Sequence, residues 1–105
     1  MYKITRVQSR PSTTVEFWDD DHPLVSEEFK TYKQTTYVDT GKLINKTSEL
    51  SDDGLLITIV GNWQNQEAFE SYYNDPRFNN EFEIPAQQYM QENGIFLVSR
   101  TIETI

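Results

Sequence analysis

Three features of this 105-residue chain predict an α+β fold. Strand-like runs with alternating or β-branched residues lie at both ends, two amphipathic stretches with helical spacing lie between them, and an apolar run, Leu55 to Trp63, follows a turn cluster in the middle. A chain of this length suits one domain, residues 1–105, with a single core. Six Phe, six Tyr and two Trp in a chain that is 36% hydrophobic mean that rings, more than aliphatic side chains, fill that core.

Tyr2 to Ser9 carries the β-branched Ile4, Thr5 and Val7 and reads as the first strand, which Pro11 ends. Pro11 to Trp18 lies between breakers and is expected as a loop or short edge strand. Asp19-Asp20-Asp21-His22-Pro23 reads as a helix entry, because carboxylates favour the positive end of a helix and proline is tolerated in its first turn. Val25, Phe29, Tyr32 and Thr36 then share one face, with Glu27, Lys30 and Lys33 facing away, and Gly41 stops the helix. Lys42 to Leu50 and Leu55 to Trp63 flank Ser51-Asp52-Asp53-Gly54 as a hairpin. The second of these strands is apolar on both faces, which implies cover on each side.

Asn65 caps a second helix with Ala68, Phe69, Tyr72 and Tyr73 as its apolar stripe, interrupted at Asp75-Pro76. Phe78, Phe82, Ala86 and Tyr89 continue the helical spacing, with a kink expected at Ile84-Pro85 and a stop at Asn93-Gly94. Ile95 to Ile105 reads as the last strand, with Phe96, Val98 and Ile102 on one face and Ile95 and Leu97 on the other. Strand, helix, strand, strand, helix, strand is the order of the ferredoxin-like split unit: a four-stranded antiparallel sheet with two helices on one face. The other sheet face then needs a cover, and a second copy of the chain is the simplest one.

The formal charge of −8 and the scatter of nine basic residues argue against a nucleic-acid partner. No stretch is long enough to span a bilayer and no signal-peptide pattern is visible, so a cytoplasmic protein without membrane partners is expected. The lack of cysteine removes disulfides, thiolate catalysis and cysteine metal sites, and a single histidine leaves zinc sites and histidine-based triads hard to build. No metal site is expected; the Asp19 to Asp21 run lacks the spaced ligands of a calcium loop and reads as a solvated helix entry.

Trp63 at the end of a strand, Asn65, Glu67-Ala68-Phe69, Tyr72-Tyr73 and Pro76-Arg77-Phe78 together form a pattern. It resembles the antibiotic biosynthesis monooxygenase group of the dimeric α+β barrel superfamily. The resemblance implies a homodimeric α+β barrel. Enzymes of that superfamily include cofactor-independent oxygenases of aromatic substrates and haem-degrading monooxygenases, and other members are small dimers without known activity. The haem-degrading members carry a histidine on the second helix and an asparagine in the first strand; Gln66 to Asn93 has no histidine and Tyr2 to Ser9 no asparagine, so haem is not expected and no cofactor is implied.

Each candidate site residue also has a plainer account. Trp63 can stack on an aromatic ligand or plug the core beneath the second helix. Asn62 can donate to a carbonyl oxygen or satisfy the backbone at the turn. Tyr32, Tyr72 and Tyr73 can donate to a phenol or quinone or serve as core rings, and Phe78 joins them as a ring wall. Arg77 can stabilise an enolate or pair with a surface carboxylate, and His22, the one side chain that normally titrates near neutrality, can move a proton or face solvent at the helix entry. His22 and Arg77 are thus the catalytic candidates, and Asn62, Trp63, Tyr32, Tyr72, Tyr73 and Phe78 the ligand-binding ones. The expected function is a monooxygenase-like homodimer with a pocket for a small aromatic molecule; if it is an enzyme, the resemblance implies cofactor-independent oxygenation. The alternative is a non-catalytic assembly module whose rings fill the core and the dimer interface.

Overall fold

The computed structural model describes Met1–Ile105. Strands β1 (Tyr2–Ser9), β2 (Leu43–Leu50), β3 (Leu56–Trp63) and β4 (Phe96–Thr104) form one antiparallel sheet in the order β2-β3-β1-β4. Helix α1 (Glu27–Lys33) runs on through a π-helical turn, Gln34–Val38. After β3 come α2 (Gln66–Tyr73), the short α3 (Pro76–Phe78), a second π-helical turn (Asn79–Glu83) and α4 (Ile84–Asn93). This is the expected ferredoxin-like α+β order.

The caps follow the side-chain chemistry. Asn65 Oδ1 accepts from the Ala68 amide at 2.8 Å, and Asp75 Oδ1 accepts from that of Arg77 at 2.9 Å, with Pro76 opening α3. Gly94 closes α4 at φ +70°, in the left-handed region where a side chain would be strained. Asp75 also joins the helical layer: its Oδ2 accepts from the hydroxyls of Tyr32 and Tyr37, the latter at 2.6 Å. The connection after α2 is thereby fastened to α1.

One sheet face is packed. Ile4 and Trp63 meet Phe29, Tyr37, Tyr72, Phe78 and Phe82 from the helical layer, and Trp18 from the loop after β1, while Ile57 and Ile59 form a second cluster with Phe17 and Ile95. Phe29, only 1% exposed, lies 5.7 Å ring to ring from Phe82. The other face carries rows such as Thr5, Val60 and Thr47, and within the chain nothing covers it. The two-sided apolar character of β3 is thus matched by helix cover on one side only, with Leu56 39% exposed.

Four expectations change. The Asp19 to Pro23 segment forms turns, and α1 starts later, where Ser26 Oγ accepts from the Phe29 amide at 3.1 Å. Lys33 faces inward: it is spaced by four from both Phe29 and Tyr37, all three are buried, and Asp20 supplies the countercharge that makes this tolerable. The kink expected at Ile84-Pro85 is taken up by the preceding π-helical turn, so that Pro85 sits in the first turn of α4, where its missing N–H is harmless. In β4, a register shift opposite Val7 and Gln8 pairs Leu97 with Gln8 and Ile102 with Ile4. The bulge breaks the alternation, putting Leu97 and Ile102 on the helix-facing side of the sheet and Phe96, opposite Ser9, on the other.

Phe29 is the best-buried large side chain, and its removal leaves a cavity that rigid ring neighbours cannot fill. Phe29→Ala should therefore lower the unfolding free energy by about 4 kcal/mol in urea titration. A loss below about 1 kcal/mol would mean that the layer does not pack on this ring.

Candidate functional site

Between the sheet and the helical layer lies a cavity of about 740 Å3. Its apolar wall is made of Trp63, Phe69, Tyr72, Phe78, Phe82 and Met90. The sheet floor is lowered at Gly61, where a side chain would extend into this space. Among the lining residues, Gln87, Gln88 and Gln91 of α4 and Leu97 and Arg100 of β4 are exposed, so the cavity opens between that helix and that edge strand.

The polar side of the cavity was not legible as a site in the sequence. Asp20 Oδ2 accepts from Lys33 Nζ at 2.6 Å and from Lys46 Nζ at 3.0 Å. The Lys33 side chain is 10% exposed, and its ammonium lies 5.2 Å from the centre of the Tyr72 ring. Arg6 and Gln8, inward-facing residues of β1, line the same space. Gln8 Oε1, Trp18 Nε1 and Asp20 Oδ1 are buried and have no hydrogen-bond partner in the protein. An unpartnered buried polar atom costs on the order of 1–3 kcal/mol. Three of them on residues of one cavity mark it as more than a packing gap.

The electrostatics follow from burial. Burial opposes the negative charge of Asp20, yet attraction from Lys46 and Lys33 and the hydrogen bonds from both hold its carboxyl down at about 2. Burial pushes the Lys33 ammonium down to about 8 against the opposing pull of Asp20, with Lys46 and Arg6 adding repulsion. Burial raises the Tyr72 hydroxyl, and Asp20 raises it further, so its proton stays in place.

The structure brings together Trp63, Tyr72, Tyr73 and Phe78 of the expected ligand-binding set, all of which line the cavity. Trp63 meets both descriptions given for it: 5% exposed, it packs edge-on against Tyr37 and Phe69 and also forms part of the wall. Tyr32 and Asn62 lie elsewhere. The Tyr32 hydroxyl is committed to Asp75, and Asn62 Nδ2 donates to Asn45 Oδ1 at 2.7 Å on the open sheet face.

Neither catalytic candidate lines the cavity. His22 does not face solvent; it is 6% exposed, stacked on Trp18 at 4.7 Å and edge-on to Tyr89 at 4.6 Å, and its Nδ1 accepts from the Leu24 amide. Arg77 has the plainer role, with Nε donating to Glu81 Oε2 at 2.6 Å and the guanidinium lying over the Tyr32 ring. The missed residues did carry a signal. Arg6 and Gln8 continue the inward alternation of Tyr2 and Ile4, and Lys33 interrupts an apolar stripe spaced by four.

Asp20, with its carboxyl held at about 2 against an ordinary 3.8, adds stability above pH 3.8 that is lost as the pH falls through 2. Asp20→Asn should lower stability at pH 7 by about 2 kcal/mol, because Lys33 and Lys46 lose the negative charge they share. Chemical unfolding across pH should show the gap between wild type and variant narrowing toward pH 2. A gap independent of pH would contradict the cluster.

No family model matches the chain, and no curated protein does. Among solved structures, the chain is similar over its whole length to a "putative antibiotic biosynthesis monooxygenase" from Deinococcus radiodurans, with 11% identity, 92% of that chain covered and a TM-score of 0.57. It is also similar, over 97% of its length, to a dimeric ferredoxin-like protein from an uncultured marine organism, with 11% identity, 83% of that chain covered and a TM-score of 0.65. At that identity the likeness speaks for the fold, and no helix of the chain is long and apolar enough to cross a membrane. The chain has the ferredoxin-like α+β fold that these structures share, in agreement with the resemblance carried by Trp63, Glu67-Ala68-Phe69 and Pro76-Arg77-Phe78.

Proposed function

We propose that the protein is a homodimer in which each subunit binds a small aromatic molecule in the cavity between sheet and helices. The observation that carries this reading is the cavity itself: about 740 Å3, walled by aromatic rings and open at one end. Ligand sites are usually apolar concavities of about 300–1,000 Å3 with a few polar groups. The homodimer has separate support. One of the similar solved structures is a dimeric ferredoxin-like protein, the sheet face opposite the helices is uncovered, and β4 exposes Phe96 (68%), Leu97 (52%) and Val98 (58%). Apolar surface on that scale is typical of a partner interface.

Oxygenation without a cofactor extends the same reading through the family resemblance. In this chain the groups lining the cavity that can accept a proton are the carboxylates of Asp19, Asp20 and Glu83 and, when neutral, Lys33, rather than His22. An assembly module is the second reading, favoured by the exposed β4 strand, and it requires no ligand.

The test separates the two. Calorimetric titration with 2-naphthamide, an uncharged two-ring probe, should give one site per chain, and Gly61→Val, which fills the cavity floor, should weaken it at least about tenfold. Light scattering should give a mass twice the 12.4 kDa of one chain. A dimer that does not bind the probe would leave the assembly module, and equal affinity in both proteins would move the site out of the cavity.

A further inference from the structure

The charge distribution narrows the ligand class. The protein carries a formal charge of −8, from 17 acidic and nine basic residues. Four of the nine basic residues, Arg6, Lys33, Lys46 and Arg100, line this one cavity, against three acidic ones, Asp19, Asp20 and Glu83. Cations have been gathered from a scarce supply onto three strands and a helix, far apart in sequence. Scattered surface charges would not do this.

The local balance points the same way. Asp20 is the single acceptor shared by Lys33 and Lys46, and its second oxygen, Oδ1, has no hydrogen-bond partner. One carboxylate cannot neutralise two ammonium groups, and with Arg6 and Arg100 set against Asp19 and Glu83 the lining as a whole keeps one positive charge in excess when Lys33 is protonated. A structural ion pair sealed in a core would be balanced, because unpaired buried charge is strongly unfavourable. Trp18 adds a buried Nε1–H without an acceptor, from a side chain only 4% exposed, and Gln8, 5% exposed, adds an unpartnered amide oxygen. The indole N–H suits an anionic oxygen, and the amide oxygen suits a hydroxyl on the same ligand.

Resting on the cavity reading above, we infer that the ligand is an aromatic acid: its ring lies against Trp63, Phe78 and Phe82, and its carboxylate or equivalent oxyanion is held by Lys33, Lys46 and Arg6. The ring wall provides affinity, and the cationic wall provides selection between charged and uncharged ligands of the same shape. Arg100, exposed near the opening, provides a positive charge on the way in.

Lys33 is faced by Asp20 from the loop, Lys46 from β2, Arg6 from β1 and the Tyr72 ring from α2. In the free protein its ammonium loses its proton near pH 8. The protonated form attracts the anion, so affinity for the acid should fall as pH rises through 8, while affinity for a neutral ligand stays level.

The experiment compares 2-naphthoate with 2-naphthamide on the full chain by calorimetry between pH 6 and 9.5. The inference expects 2-naphthoate to bind at least about tenfold more tightly at pH 6.5, and the ratio to shrink above pH 8. Lys33→Met should remove most of the preference while retaining 2-naphthamide binding; if that variant does not fold, the pH series on the wild-type protein decides alone. Binding of both probes with equal affinity at every pH would overturn the acid assignment and leave the cavity reading standing. Binding of neither would overturn both.

Discussion

Asp20 is the tie on which the cavity depends. Its Oδ2 holds Lys33 of α1 and Lys46 of β2 together, so one carboxylate fastens the loop after β1 to the helical layer and to the far edge of the sheet. Trp18, two residues earlier on the same loop, reaches the other end of the layer and packs on Phe82 and Tyr89. The loop thus acts as a wall with a polar half and an aromatic half. A loop of this length without regular structure usually has such a role.

Asp75 does comparable work within the helical layer. By accepting from Tyr32 and Tyr37 and capping α3, it sets the spacing between α1 and the chain after α2. Burial disfavours its charge, and the two tyrosine hydroxyls together with the amide and the charge of Arg77 outweigh it, so its carboxyl lies below the ordinary range. The two π-helical turns, Gln34–Val38 and Asn79–Glu83, place Tyr37 and Phe82 inward. Each has a wider helical turn than an α-helix, which shifts the following side chains around the axis. Rings rather than aliphatic chains fill most of the space between sheet and helices, and rigid rings adjust less readily than flexible side chains to close the space that remains.

Most of the fold was legible because it is written in local chemistry. Asn65, Asp75-Pro76 and Asn93-Gly94 mark helix ends by capping and backbone preference alone, and the apolar run of Leu55 to Trp63 after a turn cluster marks its strand. The start of α1 was less legible, because the three aspartates resemble a helix entry while Asp20 is engaged by lysines 13 and 26 positions away. The faces of β4 depend on a bulge, and no spacing in the strand itself announces one. For the site, the ring wall of Trp63, Tyr72, Tyr73 and Phe78 was readable from helical and strand spacing. The cationic wall was not, because a lone lysine between Phe29 and Tyr37 is ordinarily a solvent-facing residue, and only the fold brings Asp20 to it.

The account rests on a lysine held in the wall of an apolar cavity, where burial disfavours its charge. The most direct measurement of this is the titration of the lysine side-chain amines by nuclear magnetic resonance, with Lys33→Arg used to assign the signal. The account predicts that Lys33 titrates near 8 and moves upward when 2-naphthoate is added. A Lys33 amine that titrates at the ordinary 10.5, with or without the acid, would contradict it.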